Sequence, residues 1–124
     1  MVYTYVGDII VSVNPFKNTG CVGSAIRAKY KGGSRSHLPP HIYALVDQTY
    51  NTMVRDSNSQ SILISGESGA GKTEAMKICL TYIGHASQAK GQRVADEVAP
   101  RLMMTNPIME GLGAHSARHS ARHA

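Results

Sequence analysis

No run of apolar residues in this 124-residue sequence approaches the length that a membrane-spanning helix needs. Its first residues also lack the charged segment and apolar stretch of a secretory signal peptide. We therefore expect a cytoplasmic protein without a membrane span. An apolar fraction of 42% and a charged fraction of 17% are typical of a folded chain, and the length suits one small domain.

Cysteine is scarce as well. The two thiols, Cys21 and Cys79, lie far apart in the sequence and outside any metal-ligand spacing. This argues against a disulfide framework and against a cysteine-based metal site. We interpret both as reduced thiols, with Cys79 filling space in a core on a helix.

Acidic residues are missing from the stretch between residues 17 and 35, which carries the basic residues Lys17, Arg27, Lys29, Lys31 and Arg35. A second basic stretch without acids closes the sequence, and the formal net charge is +5. Such a distribution favours anionic ligands. Nucleic acid is not the favoured one, because aromatic residues do not alternate with the basic ones as in a base-stacking surface.

What the sequence does contain is a glycine-rich motif of the form G-x-x-x-x-G-K-[ST], made by Gly66, Glu67, Ser68, Gly69, Ala70, Gly71, Lys72 and Thr73. Strand-forming residues 61–64 precede it and helix-forming residues 74–80 follow it. In that context the backbone N–H groups of the loop and of the helix start can surround a phosphate. Lys72 then serves the β- and γ-phosphates, and the Thr73 hydroxyl ligates Mg²⁺. The alternative is a glycine-rich turn without a ligand.

The remaining pattern predicts an α/β fold: a phosphate-loop core that forms part of a mixed central sheet flanked by helices, and that is incomplete. Residues 2–6 and 9–13 alternate as a β-hairpin, and a short helix is expected over residues 24–30. A long helix begins at Pro40, because apolar residues recur every three or four positions: Ile42, Leu45, Val46, Thr49, Tyr50, Met53 and Val54. Residues 61–64 are apolar on both faces, as in a central strand between two helical layers.

After the loop, a helix is expected to bury Met76, Cys79, Leu80 and Ile83 and to end at Gly84. Residues 85–92 suggest a loop, and residues 94–102 a helix broken or kinked by Pro100. From residue 114 the sequence becomes a low-complexity basic tail. Its histidines, His115, His119 and His123, have a spacing compatible with metal binding, but no carboxylate lies nearby to complete a site.

The residues from Gly66 to Glu74 resemble the phosphate loop of the myosin motor domain, including the variable positions of the general motif. Residues 3–9, 14–17, 38–44, 60–64 and 105–110 agree with the same family in order and spacing. Kinesins and small GTPases carry other residues in the loop, so the resemblance is specific. It covers about residues 2–113, which indicates a partial motor domain at 1–113 and a separate tail at 114–124.

The resemblance implies a motor that hydrolyses Mg-ATP and moves on actin filaments, located in the cytoskeleton. ATP and Mg²⁺ are the implied cofactors, and the residues from Gly66 to Thr73 are the implied triphosphate site, with Thr73 as the Mg²⁺ ligand. Asn14, Pro15 and Lys17 would lie by the adenine and ribose. The long helix from Pro40 would pack against the sheet that links nucleotide state to actin affinity.

The sequence also departs from the family. Cys21 and Val22 stand where the family often has an aromatic residue near the adenine, and Ala75 stands in place of a common Asn. Residues 114–124 do not match the first switch loop, so the catalytic residues stay unknown and the isolated chain is expected to be inactive. Two alternatives stay open: a truncated chain that binds nucleotide without hydrolysis, and an unrelated phosphate-loop kinase. The kinase needs a carboxylate at a strand end after the loop, and no such strand occurs.

Overall fold

The computed structural model describes residues 1–33, 37–88 and 104. This part of the chain is mixed α/β, and its two strands and three helices are β1 (Val2–Val6), β2 (Ile9–Val13), α1 (Ser24–Tyr30), α2 (Ile42–Asp56) and α3 (Lys72–Gln88). The predicted helix at residues 94–102 and the predicted tail at residues 114–124 lie outside the described residues. None of the helices in the described part is long and apolar enough to cross a bilayer.

Strands β1 and β2 form the predicted hairpin. They pair antiparallel, with Val2 opposite Val13 and Val6 opposite Ile9. The two-residue turn is possible because Gly7 has a φ of 59°, a left-handed value that glycine adopts without steric cost. Side chains alternate along β1, so that Tyr3 is half-buried against the helices while Val2 and Val6 face outward. The hairpin thus contributes one face to the core.

Helix α2 begins slightly later than Pro40, because His41 caps it. The Tyr43 backbone N–H donates to His41 Nδ1 at 3.0 Å, which satisfies one of the donors that a helix start leaves unpaired. At the other end, Ser57 has a left-handed φ of 51°, and the helix stops at Asp56. The predicted helix is therefore confirmed, with Pro40 just before the cap.

The core lies mainly between α2 and α3. The buried side chains of α2 include Ile42, Val46 and Tyr50 from the predicted stripe, whereas Met53 and Val54 at its end are exposed. On α3 the buried apolar side chains are Ala75, Ile78, Cys79, Tyr82 and Ala86. The predicted face of α3 was therefore only partly right. Cys79 is buried as expected, but Met76, Leu80 and Ile83 are only half-buried, and Ala75, Ile78, Tyr82 and Ala86 form the rest of the buried face.

Gly84 does not end α3, contrary to the prediction, and the first residues of the predicted loop at 85–92 are helical up to Gln88. A glycine within a helix costs about 1 kcal/mol relative to alanine. The burial of Tyr82 before Gly84 and of Ala86 after it offsets that cost. In addition, Ser87 Oγ donates to the Gly84 carbonyl at 2.9 Å.

A buried carboxylate ties the three helices together. Asp47 is only 5% exposed. Its Oδ2 accepts hydrogen bonds from the Gly32 backbone N–H at 3.0 Å and from Asn51 Nδ2 at 2.9 Å, and its Oδ1 accepts one from the Tyr82 hydroxyl at 2.8 Å. A buried charge needs this degree of hydrogen bonding. Asp47 therefore joins the end of α1 and the middle of α3 to α2.

Residues 61–64 do not form the predicted central strand in the described structure. They belong to no sheet in the described part of the chain, since β1 and β2 pair only with each other. Ile62 and Ile64 pack against the core, while Leu63 is 94% exposed. A strand needs a hydrogen-bonding neighbour, and no described segment provides one to these residues. The prediction of a central strand is thus wrong for this structure.

Candidate functional site

The glycine-rich motif forms an exposed loop that leads into α3 at Lys72. We call residues 66–73, which include the first two residues of α3, the glycine loop. Gly69 has a φ of 81° and Gly71 a φ of 93°, which are conformations that residues with a Cβ rarely adopt. A Cβ on Gly71 would also lie 2.6 Å from Met1 Cε. The positive φ values therefore favour glycine at Gly69 and Gly71, whereas the end of the flexible Met1 side chain could move away from an added Cβ.

Backbone carbonyl groups at the beginning of the loop hold the side chain of Lys72. Its Nζ donates to the carbonyl oxygens of Gly66 and Glu67, each at 2.8 Å. An ammonium group has three N–H donors, so one donor remains for another acceptor. The side chain is exposed to solvent. The result is a fixed positive charge with a donor available to an anion at the loop.

The start of α3 adds a second source of positive potential. The first helical hydrogen bond runs from the Ala75 backbone N–H to the Gly71 carbonyl at 2.9 Å, so the first turn lies inside the loop. The first turn of any helix presents N–H groups that no carbonyl of the helix accepts, at the positive end of the helix dipole. In a helix of 17 residues, this end is suited to bind an anion.

Asn14 is the predicted site residue from the N-terminal part that the structure brings to the loop. Its Nδ2 donates to the Gly69 carbonyl at 2.9 Å, and its Oδ1 accepts from the Phe16 backbone N–H at 3.0 Å. Pro15 is half-buried and Lys17 is exposed. The sequence contained no signal for the contact between Asn14 and Gly69, which are separated by 55 positions.

The predicted loop residues differ in exposure. The exposed ones are Gly66, Glu67, Ser68, Gly69 and Lys72, and the half-buried ones are Ala70, Gly71 and Thr73. Thr73 is the second residue of α3. Among residues 1–33, 37–88 and 104, no group of three or more His, Cys, Asp or Glu side chains could hold a metal ion. A cation at the loop would therefore be bound by a hydroxyl group of the protein and by oxygens of an anion bound in the loop.

A groove of about 640 Å³ opens beside the loop. It runs from the glycine loop along residues 61–65 to the hairpin, and most of its lining is apolar. Ile10 and Leu45 line it from the hairpin and α2, while Ala75 and Cys79 line it from α3. Burial raises the pKa of the Cys79 thiol to about 11, so this cysteine is a neutral wall residue and not a nucleophile.

Comparison with known proteins agrees with this loop and its setting. Residues 1–121 match the family described as myosin head (motor domain). The chain belongs to the myosin head family. It is 37% identical to Myosin-1 of Vanderwaltozyma polyspora over 125 residues, which is 98% of this chain and 10% of that protein.

Two further myosins are similar to this chain. It is 41% identical to the myosin IC heavy chain of Dictyostelium discoideum over 117 residues, or 91% of this chain and 10% of that protein. It is 39% identical to Myosin-1 of Yarrowia lipolytica over 125 residues, or 98% of this chain and 10% of that protein. The chain thus spans about a tenth of the length of these myosins. The resemblance inferred from the sequence is confirmed, while the boundary between residues 113 and 114 stays a prediction.

Proposed function

We propose that this chain is the ATP-phosphate-binding segment of a myosin-type motor. Its parent protein couples Mg-ATP hydrolysis to movement on actin filaments in the cytoskeleton of the cytoplasm. Membership of the myosin head family supports this proposal. The observation that carries it is Lys72, which two loop carbonyls hold at 2.8 Å beside the N-terminus of α3. A fixed cation at such a helix start is an arrangement suited to phosphate.

In this proposal the backbone from Gly66 to Thr73 surrounds the triphosphate. Lys72 gives its remaining N–H donor to the β- and γ-phosphates, and the helix start neutralises part of their charge. The resemblance implies that Asn14, Pro15 and Lys17 lie by the adenine and ribose, and we propose this position for Pro15 and Lys17. The buried Ala75 lies in the core, so its difference from the common Asn of the family changes the packing behind the loop.

The residues at the loop are suited to bind Mg²⁺ only together with the nucleotide. Magnesium usually keeps several waters and binds through few protein oxygens together with phosphate oxygens. The Thr73 hydroxyl, at the start of α3, is the protein ligand we propose. When bound, the ion would neutralise charge on the β- and γ-phosphates.

We also propose that the described elements are part of a larger mixed sheet flanked by helices. Leu63 is 94% exposed although the residues on either side of it pack against the core. The outward-facing valines of the hairpin, Val2 and Val6, are more than half exposed. Apolar side chains in such positions are suited to be covered by further strands and helices.

For the 124-residue polypeptide on its own, we propose nucleotide binding without hydrolysis. Phosphoryl transfer needs groups that position the attacking water and stabilise the developing charge, in addition to a phosphate site. In the family, by resemblance, the switch loops supply those groups. We expect negligible phosphate release from Mg-ATP by this polypeptide, with or without actin filaments. Release that actin stimulates and that Lys72→Ala abolishes would contradict this expectation.

The binding proposal is tested by isothermal titration of the 124-residue chain with Mg-ATP. Lys72→Ala should weaken binding about tenfold or more, since hydrogen bonds to charged groups contribute about 1.5–3 kcal/mol. The matched control is Lys77→Ala, which removes the same charge five residues further along α3. There Lys77 Nζ lies 3.9 Å from the Glu74 carboxylate. No binding by the unaltered chain, or equal weakening by both substitutions, would overturn the proposal.

A further inference from the structure

Both polar atoms of the Asn14 side-chain amide form hydrogen bonds. It directly follows β2, and its Oδ1 accepts the Phe16 backbone N–H at 3.0 Å, which closes a turn of the kind that Asn side chains favour. This bond leaves the amide NH₂ group to donate to the Gly69 carbonyl at 2.9 Å. Exchanging the amide oxygen and nitrogen would set two acceptors against each other at Gly69, so the orientation of the amide is determined by its partners.

The peptide between Gly69 and Ala70 is held at both of its polar groups. Asn14 binds the Gly69 carbonyl, and the Ala70 N–H donates to the Glu67 carbonyl at 3.2 Å. These two groups belong to one planar trans peptide and point in opposite directions. Because Gly69 has a φ of 81°, its conformational freedom alone would permit this peptide to rotate. The two hydrogen bonds together prevent that rotation.

Asn14 also lies beside the next glycine of the loop. A Cβ built on Gly71 would be 3.8 Å from Asn14 Nδ2 and 3.9 Å from Asn14 Cβ, which is ordinary van der Waals contact. The side chain therefore binds the loop at Gly69 and lies near Gly71. Through Asn14, the end of β2 sets the shape of the loop backbone.

We propose that Asn14 is a positioning residue that holds the glycine loop in its phosphate-binding shape, rather than a contact to the adenine ring. The role in phosphate binding rests on the function proposed above, whereas the fixing of the loop backbone does not depend on it. The two roles predict different results. An adenine contact affects ATP alone, but a residue that shapes the loop affects every ligand bound through its phosphates.

The first experiment compares Mg-ATP and Mg-pyrophosphate binding to the 124-residue chain by isothermal titration. Asn14→Ala should weaken both by the same factor, about two- to tenfold, as expected for one neutral hydrogen bond. The control is Asn18→Ala, because Asn18 Oδ1 accepts the Gly20 backbone N–H at 2.9 Å in a similar exposed turn. This control should leave both affinities unchanged. Weaker ATP binding with unchanged pyrophosphate binding would overturn the proposal.

The second experiment needs no ligand. Amide hydrogen exchange, followed by NMR without nucleotide, should be faster at Ala70 in Asn14→Ala while Val46 in the core of α2 exchanges as before. Asn14→Asp should give the same result, because it keeps the acceptor for Phe16 but loses the donor to Gly69. Unchanged exchange at Ala70 in both variants would overturn the positioning role. If the unaltered chain binds neither ligand, the proposed function fails, and the exchange rates still decide whether Asn14 holds the loop.

Discussion

Removing the Tyr82 hydroxyl should destabilise the chain although the ring stays in place. The hydroxyl donates to Asp47 Oδ1 at 2.8 Å in the buried region between α2 and α3. Burial, and after it the bond to Asp47, raises the pKa of Tyr82, so the hydroxyl is a protonated donor at neutral pH. Tyr82→Phe keeps the packing of the ring against Tyr43, whose ring centroid lies 5.1 Å away.

The expected loss of stability follows from the Asp47 carboxylate, which loses one hydrogen bond in Tyr82→Phe. Asp47 would keep its bonds from Gly32 and Asn51, both on Oδ2, but Oδ1 would lose the partner that Tyr82 provides. Hydrogen bonds to charged groups contribute about 1.5–3 kcal/mol, and a buried acceptor left unsatisfied costs a similar amount. We therefore expect Tyr82→Phe to lower the free energy of unfolding by about 2 kcal/mol.

Urea unfolding followed by far-UV circular dichroism measures this change. The matched control is Thr81→Val, which removes a hydroxyl from the preceding residue of the same helix. Thr81 Oγ1 donates to the Lys77 carbonyl at 2.8 Å on the exposed side. The control should change the free energy of unfolding by less than about 0.5 kcal/mol. If Tyr82→Phe is no less stable than Thr81→Val, the assignment of Asp47 as the link between the helices is refuted.

Three further predictions concern other parts of the chain. Burial lowers the pKa of His41, so the unfolded chain binds a proton more readily than the folded chain, and stability should fall as the pH drops below about 6.5. His41→Asn keeps a capping side chain and should reduce this pH dependence in urea titrations. Because burial raises the pKa of Cys79 to about 11, iodoacetamide at pH 8 should label the half-buried Cys21 first, and mass spectrometry should find Cys79 labelled only after unfolding. Leu63→Lys should reduce self-association in light scattering at unchanged stability, since this side chain is 94% exposed; increased association would contradict the exposure of Leu63.

The elements that sequence reasoning predicted well are those whose signal is local. Residues 2–13 alternate as in a hairpin, and from Ile42 onward apolar residues recur every three or four positions. Both patterns are set by neighbouring positions, and the structure contains both the hairpin and helix α2. The glycine loop was found because backbone geometry restricts its residue types. The end of α3 was predicted wrongly, because Gly84 was interpreted as a helix end. The burial of Tyr82 and Ala86, which stabilises the helix beyond Gly84, depends on tertiary packing that the local sequence does not show.

The contact of Asn14 with the loop could not be predicted from a local pattern. An Asn before a Pro indicates a turn, and the structure has that turn in the bond from Phe16. The second bond reaches a residue 55 positions away, and only folding brings the two together. The same holds for Asp47, since no local pattern indicated that Gly32, just after α1, and Tyr82 of α3 would donate hydrogen bonds to it.

The failed strand prediction at residues 61–64 carries information of its own. Ile62 and Ile64 pack against the core as a strand's inner face would, and Leu63 projects in the opposite direction, 94% exposed. The segment therefore has the alternation of a strand without hydrogen-bonding neighbours in the described structure. Since the chain spans about a tenth of the myosins it matches, we infer that the strand-forming residues are suited to neighbours contributed by the rest of such a protein.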